Sequence, residues 1–117
     1  GTVSDFEIGL SRLVEMSIDL AGGTATSVVL ISMPDWSVTP FAEGAPKQEI
    51  AKSIDEFNAV IRKLAAESGT KYVDITGISR RATEQPELIA ADGLHPSVEM
   101  YALWVELILP VVEEIIE

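Results

Sequence analysis

Val28-Val29-Leu30-Ile31-Ser32-Met33-Pro34-Asp35 is the stretch on which the fold turns. A continuous β-branched and aliphatic run, ended by Pro34, reads as a short parallel strand buried on both faces; a strand with one wet face would alternate. Sheets of that kind are covered by helices. From Lys47 to Ser68 the apolar residues Ile50, Ile54, Phe57, Val60, Ile61 and Leu64 recur at three- and four-residue steps, which predicts a helix closed by Gly69. Lys71-Tyr72-Val73-Asp74-Ile75 reads as a second strand, and its alternation predicts a more exposed position such as an edge. Strand, helix and strand form a βαβ crossover, expected to be right-handed. Strand 28–33 should be central, yet the sequence offers it one neighbour. Either a partner supplies further strands, or these residues are a fragment of a larger α/β domain.

Outward from this unit, Ser4-Asp5-Phe6-Glu7 has the spacing of a capping box, with Ser4 as N-cap. The helix it starts carries Phe6, Leu10, Leu13, Val14 and Ser17 on one face and stops at Gly22-Gly23. The loop 34–46 carries Trp36, Pro40, Phe41, Gly44 and Pro46. The loop 76–96 is long enough to suggest a functional role or a short helical turn, for which Glu87 to Ala91 is the candidate. Ser97 can cap a last helix whose apolar face is Val98, Tyr101, Ala102, Val105, Ile108 and Leu109, with a kink or restart at Pro110. Two parallel strands and three main helices are expected, with no repeat and no linker.

With 47% apolar residues the 117-residue chain is expected to be globular and a single unit. Its net charge of −11 opposes binding to nucleic acid or anionic membrane surfaces and favours solubility. No apolar run reaches the ~18 residues of a membrane span. The absence of cysteine removes disulfides, thiol nucleophiles and thiolate metal sites. Together with the lack of a recognisable signal peptide it fits a cytoplasmic location.

Ligands of open α/β sheets gather at the carboxyl ends of the strands. The loops 34–46 and 76–96 both leave such ends, so Trp36 and Phe41 should share a rim with Asp92 and His95. Asp92-Gly93-Leu94-His95-Pro96-Ser97 holds the only histidine. An imidazole with an unperturbed pKa of ~6.5 is a usable base near neutrality. A carboxylate on one ring nitrogen fixes the tautomer and stabilises the imidazolium. A surface histidine beside a turn aspartate is the plain alternative on spacing alone. Trp36 and Phe41 either line a substrate pocket or pack in the core. Ser79 lacks a nucleophile-elbow glycine at position 81. Asp74, Asp92 and His95 lack metal-ligand spacing, and no metal or cofactor is expected. Arg80 and Arg81 read as solvated loop charges.

Asp92-x-x-His95-Pro96 before a final helix resembles the last sequence block of the SGNH, or GDSL, hydrolase family. Val29 to Trp36, Thr39-Pro40-Phe41, Phe57-Asn58 and Tyr72-Val73-Asp74 are similar in order and spacing to the lysophospholipase-like esterases of that family, and the resemblance runs from about residue 4 onward. It implies a flavodoxin-like α/β/α three-layer fold, of which residues 1–117 would be the C-terminal portion. It also implies serine hydrolysis of a small-molecule or lipid ester, with His95 as base and Asp92 as orienting acid. The family's Gly-Asp-Ser nucleophile block and its glycine and asparagine oxyanion blocks are missing from this sequence. The chain alone is therefore expected to be inactive, as a fragment of an esterase. The alternative expectation is a non-catalytic module that pairs, with a copy of itself or an N-terminal half, through the strand 28–33 edge.

Overall fold

The computed structural model describes residues 2–116. Its α/β fold runs α1 (Val3–Leu20), β1 (Val29–Ile31), α2 (Lys47–Ser68), β2 (Lys71–Val73), α3 (Thr76–Ser79) and α4 (Val98–Ile116), with short 3₁₀ turns in the loops. β1 and β2 pair in parallel, Val29 opposite Lys71 and Ile31 opposite Val73. Successive strand side chains point to opposite faces. Lys71 reaches Glu114 of α4 at 3.6 Å, whereas Tyr72 faces a cleft lined by Asn58 and Arg62 of α2. The two long helices therefore cover opposite sides of the strand pair, and α1 packs on α2.

Two signals compete at the start of α1. Thr2-x-x-Asp5 has the same spacing as Ser4-x-x-Glu7, and the chain uses the first. Asp5 N–H donates to Thr2 Oγ1 at 3.1 Å, and Thr2 N–H donates to Asp5 Oδ2 at 3.2 Å. The expected Ser4 cap is thus corrected. Starting earlier half-buries Val3 and leaves Glu7 to pair with Lys63 of α2 at 2.9 Å. Phe6 meets Phe57 edge-on, ring centroids 4.6 Å apart, which fixes α1 on α2. Leu13, expected on the buried face, is 59% exposed, and Val14 is the buried residue.

α2 follows its periodicity: Ile54, Val60, Ile61, Leu64 and Ala65 are buried, and Gly69 ends it in the left-handed region at φ 78°. β1 departs from expectation. It is shorter than 28–33, and Ile31 is 42% exposed, because no strand among the described residues covers its other edge. β2, read as the more exposed strand, contributes buried Val73 and leads into fully buried Ile75. α4 is apolar on nearly all sides, so its periodicity misleads. Val98, Tyr101, Val105 and Leu109 are exposed, while Met100 is buried against Ala82 and Leu88, with Leu103 and Trp104 alongside. Nor does the helix restart at Pro110. Pro110 and Glu106 lie on the exposed surface, where water can satisfy the carbonyl left without its partner.

Met100 holds the amino end of α4 to the loop that carries the candidate site. Met100→Ala should cost about 2–5 kcal/mol, the range for large-to-small changes in a packed core, read as a lower denaturation midpoint in urea.

Candidate active site

The loop 76–96 is built rather than slack. α3 and two 3₁₀ turns, Arg80–Thr83 and Pro86–Leu88, fill its first part. The turn expected at Glu87 to Ala91 thus lies slightly earlier, where Pro86 presets the first dihedral. The rest is a small hairpin. Ile89 and Pro96 form an antiparallel bridge. Ala90 N–H donates to the His95 carbonyl at 2.7 Å, and Ser97 N–H to the Leu88 carbonyl at 2.9 Å. At its tip Gly93 takes φ 77°, which a side chain would strain. A Cβ there would also stand 3.4 Å from Pro40 Cβ. The Gly93 carbonyl accepts from Phe41 N–H at 3.0 Å, tying this tip to the loop after β1.

Asp92 divides its carboxylate between backbone and ring. Oδ1 accepts from the N–H groups of Leu94 and His95, each at 2.9 Å. Oδ2 contacts His95 Nδ1. The Leu94 N–H, the His95 ring and the His95 N–H together hold the Asp92 carboxyl down to about 2. An ionised Asp92 makes Nδ1 the protonated nitrogen and leaves the Nε2 lone pair as a proton acceptor. The His95 side chain is 70% exposed, so Nε2 is open to an incoming group.

Trp36 and Phe41 meet edge-on at 6.2 Å, and both are more exposed than core residues. Trp36 also walls an open apolar groove of 640 Å³ with Met33, Ile50, Ile54 and Phe57, in which Glu49 is the one charged residue. Asp92 and His95 do not line this groove. The two aromatic residues join the acid–histidine turn through the Phe41 amide.

Two serines near the strand ends are occupied. Ser79 is buried; its Oγ donates to the Thr76 carbonyl at 2.6 Å and accepts from Asp35 N–H at 2.9 Å. Ser32, also buried, accepts from the N–H groups of Ile75 and Thr76 at 2.8 and 3.2 Å. Neither hydroxyl is free to attack a substrate. Among the described residues no group of three or more His, Asp or Glu side chains gathers to hold a metal ion. Among them, too, no helix is long and apolar enough to cross a membrane.

The sequence reading missed Asp35. Its side chain is 2% exposed and accepts from Arg80 Nε at 2.9 Å. Burial pushes this carboxyl up, but the Ser37 hydroxyl, Arg80 and the Ser37 N–H outweigh it and hold it below the ordinary value. Arg80, read as solvated, spends its guanidinium on Asp35 and on Asp55 at 2.7 Å. Asp35-x-Ser37 is a local turn signature; a partner in another loop has none.

Residues 1–103 match the model of the GDSL-like lipase/acylhydrolase family. No curated protein and no solved structure matches the chain.

The folded pKa of Asp92 is depressed, so its contribution to the turn is complete above the unfolded value of ~3.9 and is lost as pH falls through about 2. The carboxyl carbon resonance of Asp92 should titrate with a midpoint of about 2; a midpoint at the unfolded value would show that the turn does not hold the carboxylate.

Proposed function

The chain belongs to the GDSL-like lipase/acylhydrolase family, and we propose that it supplies the general base, His95, and the orienting acid, Asp92, of a serine ester hydrolase. The observation that carries this reading is the divided Asp92 carboxylate, one oxygen on two backbone N–H groups and the other on His95 Nδ1. A serine hydroxyl attacking an acyl carbon would pass its proton to Nε2. The leaving alkoxide would receive that proton as its bond to the acyl carbon breaks and the acyl group stays on the serine. Water, giving a proton to Nε2, would then attack the acyl carbon, and the serine would recover its proton. Trp36 and Phe41 are the proposed substrate contacts. They are exposed apolar surface beside the turn, suited to the acyl part of a small-molecule or lipid ester.

The nucleophile and the oxyanion donors belong, in this reading, to residues outside these 117. The sequence holds no Gly-Asp-Ser, and Ser32 and Ser79 are saturated with hydrogen bonds. The chain is then the C-terminal portion of a flavodoxin-like three-layer domain, and the missing strands join at the open edge of β1. A cytoplasmic location is part of this proposal, and a cysteine-free sequence is compatible with it.

Addition of a Gly-Asp-Ser-bearing N-terminal segment, in trans or by fusion, should raise hydrolysis of a short-chain aryl ester from background. His95→Ala should then lower kcat by about a hundredfold or more. Restored hydrolysis indifferent to His95→Ala would overturn the base assignment. Ready turnover by the 117-residue chain alone, abolished by His95→Ala, would overturn the missing nucleophile.

The exposure of Ile31 at 42% and the open edge of β1 favour a second reading, a non-catalytic module that self-associates through that edge. It expects a sedimenting dimer or larger species, and a stable monomer at high concentration would count against it.

A further inference from the structure

We infer that Arg80 is a positioning residue for the Asp92–His95 pair: it bridges buried Asp35 to Asp55 of α2 and so fixes residues 35–41 against the 92–95 turn. Only the catalytic importance of that pair rests on the reading above; the mechanical link is a matter of geometry. Residues 35–41 contain no strand and no α-helix. Their shape comes from a short series of polar contacts centred on Asp35. Its Oδ1 accepts from the Ser37 N–H at 2.9 Å and the Ser37 hydroxyl at 2.6 Å. Its own N–H donates to Ser79 Oγ at 2.9 Å. Its Oδ2 faces Arg80, whose far nitrogen is anchored on α2 by Asp55. One turn later, the Thr39 hydroxyl donates to the Trp36 carbonyl at 2.7 Å.

This segment meets the catalytic turn at its tip. Phe41 N–H donates to the Gly93 carbonyl at 3.0 Å, and Pro40 lies where a Gly93 side chain would go. The hydrogen bonds within Asp92 to His95 are local and set the pair's internal geometry. The contact with Phe41 sets where that pair stands relative to β1. Removal of Arg80 leaves a carboxylate with 2% of its side chain exposed and no cation. Its Oδ1 keeps the Ser37 donors, but Oδ2 must then be hydrated or protonated, and either response opens the turn around it. A lysine cannot replace the guanidinium here, since one ammonium on a flexible stem does not span two carboxylates as the planar fork does.

The test uses the 117-residue chain and requires no activity. His95 is its only histidine, so the ring resonances are unambiguous. In Arg80→Ala the Phe41 amide should lose its protection from exchange, and the Gly93 amide and the His95 ring carbon-bound proton signals should shift, while the local Nδ1 proton of His95 stays bonded to Asp92. Methyl signals of Val60 and Leu64 should stay in place. Arg80→Lys should move the same signals in the same direction. Lys63→Ala, which breaks an exposed ion pair elsewhere on α2, should leave them unmoved. If Arg80→Ala does not fold, Asp55→Asn removes only the exposed arm of the bridge and should give the smaller version of the same change. A role confined to global stability changes the folded fraction but not the native His95 spectrum. A folded Arg80→Ala, or Asp55→Asn in its place, with wild-type His95 and Gly93 signals would overturn the inference. That result is separate from a failure of the hydrolase reading, which is decided by the effect of His95→Ala on restored hydrolysis.

Discussion

The hydroxyl of Ser32 lies where β1 ends, and the two N–H groups that open the turn after β2 converge on it, from Ile75 and Thr76. It donates in turn to Asp74 Oδ1 at 3.1 Å. Beside it, Asn58 of α2 accepts from Met33 N–H at 2.7 Å and donates to Thr76 Oγ1 at 2.8 Å, while Thr76 Oγ1 donates to the Met33 carbonyl at 2.6 Å. Two strands of three residues each make too small a ladder to hold two long loops apart. This part-buried knot takes over that work at the carboxyl ends, where every backbone group that leaves the sheet needs a partner. The loop bearing Trp36 and the loop bearing His95 both start from it.

Much of this architecture can be read from residue patterns. α2 follows its apolar spacing from Lys47 to the left-handed Gly69, β1 falls in the aliphatic run and β2 in the alternating stretch after Gly69. The Asp92–His95 contact was legible because its partners are three residues apart and Gly93 permits the turn. Sequence patterns fail where the information is not local. α4 is apolar around most of its circumference, so its pattern could not say that Met100, rather than Tyr101, faces the core. β1 has the composition of a buried strand but not the burial, since composition records the environment a strand suits and not the neighbours present. Phe57-Asn58 was a pair of letters in a resemblance; the structure shows that the Asn58 amide reads the Met33 backbone on both its N–H and its carbonyl.

The charges follow the same division. Most of the acidic excess is solvated surface. Among the described residues, Asp35 and Asp92 are the carboxylates held clearly below their ordinary range, by different means. Asp92 is exposed and is held by donors within three residues of it. Asp35 is buried, and it is held low by the Ser37 hydroxyl, by a guanidinium from another loop and by the Ser37 N–H. An exposed, locally satisfied carboxylate fits the role proposed for Asp92, which would face an imidazolium during turnover. A buried carboxylate shared between a local turn and a distant cation suits a fixed structural point, since losing the cation strands one of its oxygens.

The amide of Phe41 on the Gly93 carbonyl has a consequence for the order in which the chain acquires its parts. The acid–histidine pair closes over three residues and needs little loop entropy to form, so it can assemble in a largely unstructured chain. Its place beside β1 depends on a contact between segments separated by the whole of α2 and β2, which is available only after those elements have docked. Partial opening of the molecule therefore separates two properties that a crystallographer sees as one. The hydrogen bonds of the pair outlast its address in the fold, and a chain that has loosened its first loop still carries an intact acid–histidine pair with no fixed place.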